Sequence, residues 1–367
     1  MKKYFPLVAS IVFFASAHAQ KHYNLLIGTY TNNCKSDGIY TYDFNAETAD
    51  SKLKSQSDKV SNPSFLSVSP DQKMIYSVNE SGKESTVSAF AYDAKSGKIV
   101  LVNKLSSEGA DPCHIINDDT NVLVANYSGG SIAVFKKSDD GSLLKAKQVI
   151  QHRGKSTTKR QESPHVHQLQ FSPDKQFVLA NDLGTDRIYL YRYQPESENE
   201  ILKFKDTIAI KTGSGPRHLT FSPNGKFIYL LQELDGTLTV FAYENAKLRR
   251  VQETTIVTKD FTGETSAADI HISPDGKFLY ATNRGEANTI AVFAIDSNGK
   301  LTRKQSIPTQ GKEPRNFVID PTGKYVLVAH QYTNDVVIFE RNAQTGMLTD
   351  TGKRIELCSP VCLVFVE

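Results

Sequence analysis

An arginine, a histidine and a glutamate lie close together in one stretch of the chain, as Arg217, His218 and Glu233. Arginine binds carboxylate or phosphate groups through paired donors, and it can also stabilise an oxyanion. Histidine and glutamate are the usual acid and base groups near neutral pH. Together these residue types could bind an acidic compound and move protons on it.

The same stretch predicts the element that would hold these side chains together. Residues 219–221 and 227–231 form two short strands, and Ser222-Pro-Asn-Gly225 forms the turn between them. Pro223 suits the second position of a tight turn, and Gly225 tolerates a positive φ. The residues before the first strand and after the second lie at one end of such a hairpin. Arg217 and His218 are therefore expected beside Glu233.

The hairpin recurs with a spacing of about 50 residues. Six copies begin near Pro63, Pro112, His165, Gly215, Ala268 and Pro314. The seventh is split, because residues 25–30 supply only a return strand and residues 360–366 supply its partner. A third strand rich in β-branched and aromatic residues and a weaker fourth follow each hairpin. The pattern predicts an all-β, seven-bladed β-propeller with four-stranded antiparallel blades, closed by the C-terminal strand.

The first strand of each blade lines the central channel of a propeller, so polar residues at strand starts and strand ends are expected to ring one mouth. The strand starts provide His114, His165, His167, Arg217, His218, His271 and Arg315. The strand ends provide Tyr30, Asn79, Glu80, Asn126, Tyr127, Asn181, Asp182, Glu233, Asn283, Arg284, His330 and Gln331. We predict a catalytic role for part of this ring. His114 and His218 could instead serve the structure of the strands.

Several other kinds of site are disfavoured. The sequence has no G-x-S-x-G elbow, no H-E-x-x-H motif and no glycine-rich phosphate loop. We therefore expect neither a serine nucleophile nor a cofactor, and no metal. A metal held by His165, His167 and a carboxylate stays an alternative, since alternation on a strand would put both imidazoles on one face.

The N-terminus predicts export. Lys2 and Lys3 precede an apolar run over residues 4–15, and Ala17-His-Ala19 fits a cleavage site. Residues 1–19 are thus expected to be a signal peptide, and residues 20–367 a single propeller domain that is periplasmic or extracellular and not membrane-bound. A membrane anchor is less favoured because a span needs roughly 20 apolar residues. Removal of both lysines lowers the formal charge from +3 to +1 (3 − 2), which argues against nucleic-acid binding.

The four cysteines, Cys34, Cys113, Cys358 and Cys362, include no C-x-x-C pair. An exported chain could oxidise them. Cys358 and Cys362 would be too far apart in an extended strand to bond. We expect mostly free, buried thiols.

Several motifs resemble one known family. They are Ile27-Gly-Thr-Tyr-Thr31, Asp186-Arg-Ile188, Gly215-Pro-Arg-His218, Glu233-Leu234, residues 267–276 with Arg284, and Pro314-Arg315. The chain resembles the lactonase-type seven-bladed propellers, typified by bacterial 6-phosphogluconolactonase and fungal carboxy-cis,cis-muconate lactonizing enzyme.

The resemblance implies hydrolysis of a small-molecule sugar-acid lactone, with or without a phosphate. It places the family's catalytic His, Arg, Glu and Arg on His167, Arg217, Glu233 and Arg284. Substrate-binding roles are expected for His165, Asp182, His271, Arg315 and His330. Glu233 or His167 would activate water, and the arginines would hold the oxyanion and acidic groups. A non-catalytic binding propeller of the cell envelope, with a shallow face, and a muconate-type isomerase remain alternatives.

Overall fold

The computed structural model describes residues 21–32 and 34–366. The predicted signal peptide lies outside the described residues. The described chain forms 28 strands in seven four-stranded antiparallel sheets. The innermost strand of every sheet packs against that of the next sheet until the ring closes. The predicted seven-bladed propeller is therefore confirmed.

The strands follow the chain around the ring in order. Blade 1 contains β1 (His22–Thr29), β2 (Ile39–Asn45) and β3 (Ser51–Gln56). Blade 2 contains β4 (Pro63–Val68), β5 (Met74–Asn79), β6 (Thr86–Asp93) and β7 (Lys98–Ser106); blade 3 contains β8 (Pro112–Asn117), β9 (Asn121–Asn126), β10 (Ser131–Lys137) and β11 (Leu143–Gln151). Blade 4 contains β12 (Val166–Phe171), β13 (Phe177–Asp182), β14 (Arg187–Tyr193) and β15 (Leu202–Ala209).

The second half repeats this arrangement. Blade 5 contains β16 (Pro216–Phe221), β17 (Phe227–Gln232), β18 (Thr237–Glu244) and β19 (Lys247–Thr255). Blade 6 contains β20 (Ala267–Ile272), β21 (Phe278–Asn283), β22 (Thr289–Ile295) and β23 (Leu301–Pro308); blade 7 contains β24 (Pro314–Ile319), β25 (Tyr325–His330), β26 (Asp335–Arg341) and β27 (Leu348–Glu356). The last strand, β28 (Pro360–Val366), returns to blade 1. Short 3-10 turns occupy Gly82–Glu84 and Lys159–Gln161.

Strand β28 supplies the missing inner strand of blade 1, as predicted. It pairs antiparallel with β1, and Leu26 lies opposite Val364. Apolar side chains then fill the space between neighbouring blades; Leu25 and Ile27 of blade 1, for example, pack against Leu327 of blade 7. Pairing the two chain ends within one sheet removes two free edges and holds the ring closed.

The hairpin turns form where the sequence predicts them. In blade 5 the Ser222 hydroxyl accepts the N–H of Phe227 at 2.9 Å, and Gly225 has a φ of +70°. Ser273 and Phe278 repeat the bond in blade 6. Each turn fixes the register of an inner hairpin, and it lies at the end of the hairpin opposite Glu233.

The inner strands begin earlier than the sequence predicts. Strand β16 starts at Pro216, and its pairing with β17 skips from Pro216 to His218, so Arg217 is a bulged residue. The inner strands of blades 2, 3, 4, 6 and 7 have a register shift at the same place. Such a bulge redirects a side chain at the rim of a sheet. The bulge near the start of each of these strands lets the second residue face the channel mouth.

A disulfide corrects the expectation for the cysteines. Cys34 is bonded to Cys358, and their Cα atoms are 5.9 Å apart. Cys113 and Cys362 are free and buried, as predicted. The bonded pair is separated by 324 residues, and only closure of the ring brings its members together. Local spacing could not reveal it.

Breaking this disulfide should lower the stability of the fold. A bridge that closes so long a loop contributes about 2–5 kcal/mol through the unfolded state. The C34S/C358S double variant should therefore unfold at a lower temperature than the oxidised wild type in a circular dichroism melt. Dithiothreitol should lower the wild-type midpoint and leave that of the variant unchanged. Equal midpoints for oxidised and reduced wild type would contradict this role.

Candidate active site

One mouth of the channel holds a polar pocket of about 260 Å³ to which all seven blades contribute. It is lined by Tyr30, Glu80, Asp111, Cys113, Tyr127, Ser128, Arg160, His167, Glu233, Arg284 and Arg315. Most of these are bulged second residues of inner strands or the first residues after the next strand. The hairpin geometry inferred from the sequence therefore locates this pocket.

Glu233 is the centre of the pocket's charge network. Its Oε2 accepts a hydrogen bond from Arg217 Nε at 3.0 Å and lies 3.3 Å from Arg284 Nη2. His167 Nε2 is 4.0 Å from the same oxygen. All four side chains are at least nine-tenths buried. The structure thus brings the four predicted catalytic residues together.

A third arginine, which the sequence analysis did not single out, reaches Glu233 from outside the strands. Arg160 Nη2 donates to Glu233 Oε1 at 2.8 Å and to the Tyr127 hydroxyl at 3.1 Å. It belongs to the 3-10 turn Lys159–Gln161 in the insert before β12. The insert has no counterpart in the repeat, so its basic composition is the one signal that could have indicated a binding role.

The arginines set the protonation of the central carboxyl. Burial alone would raise the pKa of Glu233, but the guanidiniums of Arg284, Arg217 and Arg160 lower it to about 2. Glu233 is therefore a carboxylate at any physiological pH. A carboxylate with so low a pKa is a poor general base, and it is well suited to hold three guanidiniums in place.

His167 is neutral at physiological pH. Burial, followed by the charges of Arg217 and His218, holds its pKa well below the ordinary value. Its ring meets the edge of the Tyr127 ring at 5.5 Å. Within the described residues, His167 Nδ1 has no hydrogen-bond partner. The side chain offers the pocket an uncharged imidazole.

A second carboxylate has different surroundings. Glu80 Oε1 accepts hydrogen bonds from the Tyr30 hydroxyl at 3.0 Å and from the Ser64 hydroxyl. The Arg315 guanidinium lies 5.6 Å from the centre of the Tyr30 ring. Among the described residues, Glu80 forms no ion pair within 4.0 Å. The pocket therefore contains one carboxylate bound by arginines and one held by hydroxyl groups.

The predicted substrate-binding residues are only partly at this mouth. Arg315 lines the pocket, and His165 stacks on the Tyr127 ring at 4.4 Å beside it. Asp182 is instead fully buried and accepts the His165 N–H and the His152 Nδ1–H, so it orders the loops around β12. His330 is also fully buried, 3.1 Å from Asp335. The expectation that Asp182 and His330 face the mouth is wrong.

His271 lies at the opposite mouth, which corrects its predicted position. It is the fifth residue of β20, so the strand carries it about 13 Å along the channel from Ala267. Its Nε2–H donates to Asp269 Oδ2 at 3.0 Å, and His218 Nδ1–H donates to Oδ1 at 2.9 Å. These three residues and His114 line a separate cavity of about 490 Å³.

The predicted metal alternative finds no support in geometry. Within residues 21–32 and 34–366, no three His, Cys, Asp or Glu side chains are arranged to hold a metal ion. His165 precedes β12, and the bulge at His167 breaks the alternation that would have placed both imidazoles on one face.

Within residues 21–32 and 34–366, the structure contains no helix with the length and hydrophobicity of a membrane span.

The fold and the pocket together define a class: seven-bladed propellers with an arginine, histidine and glutamate site at one channel mouth. Residues 24–365 match the family model described as lactonase, 7-bladed beta-propeller. The chain belongs to this family.

Two relatives and two solved structures show how close the similarity is. The chain is 37% identical over 332 residues to a 6-phosphogluconolactonase of Formosa agariphila, covering 88% of this chain and 94% of the relative. It is 33% identical over 346 residues to that of Bacillus subtilis, covering 93% and 97%.

Among solved structures, the periplasmic gluconolactonase of Pseudomonas aeruginosa has a TM-score of 0.91 and 36% identity, covering 95% of this chain and 99% of its own. A Bacteroides fragilis structure, described as a candidate 6-phosphogluconolactonase, has a TM-score of 0.91 and 44% identity, covering 94% and 98%.

Proposed function

We propose that the protein is a lactonase that hydrolyses the ring ester of a sugar-acid lactone. The observation that carries the proposal is the buried cluster of Arg217, Arg284, His167 and Glu233 at one channel mouth. Membership of the lactonase family and relatives named 6-phosphogluconolactonase support it. A binding propeller without chemistry would need only a shallow face, and it would not need three buried or half-buried guanidiniums around one carboxylate.

The arginines would stabilise the charge that develops during ring opening. Attack of water on the carbonyl carbon of a lactone places negative charge on the carbonyl oxygen. Fixed N–H donors that face this oxygen lower the barrier, because they are already oriented before the reaction and need no reorganisation during it. Glu233 holds Arg217 and Arg284 in place for this role, and it also anchors the half-exposed Arg160 at the edge of the pocket. Arg315 has no ion-pair partner among the described residues and would bind an acidic substituent of the substrate.

The neutral His167 would orient the reacting groups. Its uncharged ring can accept a hydrogen bond from water or from a sugar hydroxyl. The low pKa of Glu233 argues against the expectation that this carboxylate removes a proton from water. Its role in the proposal is to position the arginines.

We also propose that the protein works outside the cytoplasm. The expected signal peptide supports this, and so does the disulfide between Cys34 and Cys358, since disulfides persist in oxidising compartments. The similar Pseudomonas aeruginosa gluconolactonase is periplasmic. An unphosphorylated lactone is therefore the first substrate to test, with the 6-phosphate second.

The proposal is tested by titrating acid release from a panel of lactones at constant pH. The panel contains δ-gluconolactone, its 6-phosphate and a muconolactone-type compound, each with the purified chain from residue 20 onward. We expect saturable hydrolysis of at least one sugar lactone above the buffer rate. Turnover of the muconolactone-type compound alone would favour the isomerase alternative. No turnover of any compound would overturn the proposal.

Replacing Arg160 by Gln should weaken substrate binding more than it slows the reaction. Arg160 is half-exposed and lies at the edge of the pocket, where it can donate to a hydroxyl or phosphate group of the substrate. Loss of one charge-assisted hydrogen bond should raise KM about tenfold, while kcat changes little. Steady-state kinetics with R160Q and with the neighbouring K159Q control measure the effect. An R160Q enzyme with the KM of K159Q would contradict this role for the insert.

A further inference from the structure

The two carboxylates of the pocket differ in what binds them. Three arginines bind Glu233, and both of its oxygens are occupied. Glu80 is bound through Oε1 alone, by two hydroxyl groups. Among the described residues, its Oε2 accepts no hydrogen bond. A carboxylate oxygen without a donor can accept a hydrogen bond from a water molecule in the pocket.

The hydroxyl donors hold Glu80 in one orientation. Tyr30 follows β1 in blade 1, and Ser64 is the bulged second residue of β4 in blade 2. Burial raises the pKa of Tyr30. Its hydroxyl is therefore protonated at physiological pH and donates to Glu80. Neighbouring blades thus fix the carboxylate from two sides, and it remains partly exposed to the pocket.

The side chains that act on Glu80 are one cation and two neutral groups. Arg315 and the Tyr30 hydroxyl interact with it electrostatically, and so does the buried thiol of Cys113, whose pKa burial raises. Cys113 is thus a neutral thiol. Glu80 lines the same 260 Å³ cavity as His167, Glu233 and Arg284. A lactone in this cavity would have the arginine cluster on one side and Glu80 on another.

We propose that Glu80 is a catalytic residue of the lactonase, the general base that activates the attacking water. This inference rests on the proposed lactone hydrolysis and assigns one of its roles to a residue outside the cluster around Glu233. Geometry separates the functions. Glu233 positions the arginines that receive the oxyanion, and Glu80 is the carboxylate free to accept a proton.

The proton and electron balance is complete without any further reactant. Glu80 takes one proton from water while the water oxygen bonds to the carbonyl carbon, and the carbonyl oxygen becomes an oxyanion facing the arginines. The oxyanion then re-forms the C=O bond, and the ring C–O bond breaks. The departing ring oxygen takes the proton from the Glu80 carboxylic acid and leaves as a hydroxyl. The product is the open hydroxy acid, and Glu80 is again a carboxylate.

The test compares E80Q with the matched control E84Q. The amide oxygen of Gln can still accept from Tyr30 and Ser64, so E80Q should fold and keep its melting temperature. Glu84 is exposed in the turn Gly82–Glu84, four residues further along the chain, and undergoes the same chemical change. We expect kcat of E80Q to fall about 10²-fold or more, KM to change little, and E84Q to match the wild type.

The possible outcomes separate this inference from the proposed function. A wild type that hydrolyses lactones, together with an E80Q variant of unchanged kcat, would overturn the role of Glu80 and leave lactonase activity standing. A wild type without activity on any lactone would overturn both. A fall in kcat that E80D partly restores supports the assignment, because Asp supplies a carboxylate at a slightly greater distance. Unfolding of E80Q would show that Glu80 serves structure and would contradict the inference.

Discussion

Replacing Glu233 by Gln should lower kcat/KM for lactone hydrolysis by at least about 10³-fold while the chain still folds at 25 °C. The carboxylate neutralises and orients Arg160, Arg217 and Arg284. The amide of Gln keeps the volume but removes the charge, so the guanidiniums repel one another and lose their common anchor. Arginines that no longer converge cannot stabilise the oxyanion.

Steady-state kinetics and circular dichroism check this expectation on the same preparation. A suitable control is E253Q, the same change on the exposed outer strand β19 of the same blade. The control should retain wild-type kinetics. A folded E233Q variant with more than a tenth of wild-type activity would show that the arginine cluster does not carry the reaction.

Replacing Arg217 by Met should damage both stability and activity. Arg217 is 2% exposed; it donates to Glu233 and to the carbonyl of Ala268. Met removes one of three guanidiniums from Glu233 and one donor from the Ala268 carbonyl, so the expected cost is at most about 3–5 kcal/mol, that of a fully broken buried ion pair. Activity should also fall about 10²–10³-fold, because one of the proposed oxyanion donors is lost.

Urea unfolding at several pH values measures the stability change and its sign. Arg217 helps to lower the pKa of Glu233 from 4.5 to about 2. A lowered carboxyl pKa stabilises the fold fully above pH 4.5 and loses this contribution as the pH falls towards 2. The difference in the free energy of unfolding between wild type and R217M should therefore be largest near pH 7 and become smaller below about pH 4. A difference that does not depend on pH would contradict the ion-pair explanation.

The sequence predicted the fold well because the hairpin repeats. Strand pairs of similar length recur about every 50 residues, and a lone return strand near Leu25 requires a partner from the C-terminus. The same hairpin geometry places Arg217 beside Glu233 without any knowledge of the ring. His167 and Arg284 follow, because neighbouring blades present equivalent positions to one mouth.

The features that the sequence did not predict either do not repeat or depend on closure of the whole ring. Arg160 reaches the site from an insert whose path no periodicity determines. The Cys34–Cys358 disulfide joins residues that only ring closure brings together. His271 was expected at the wrong mouth because the sequence analysis placed it at a strand start, and β20 in fact begins four residues earlier. One strand length was enough to move it to the other end of the channel.

The most direct test of the central claim is the initial rate of δ-gluconolactone ring opening at pH 6.5, measured side by side for wild type, E233Q and buffer. We expect a saturable rate for the wild type that is well above buffer, and a rate for folded E233Q that is close to buffer. Equal rates for the two proteins, or a wild type no faster than buffer, would contradict lactone hydrolysis at the mouth that holds Glu233.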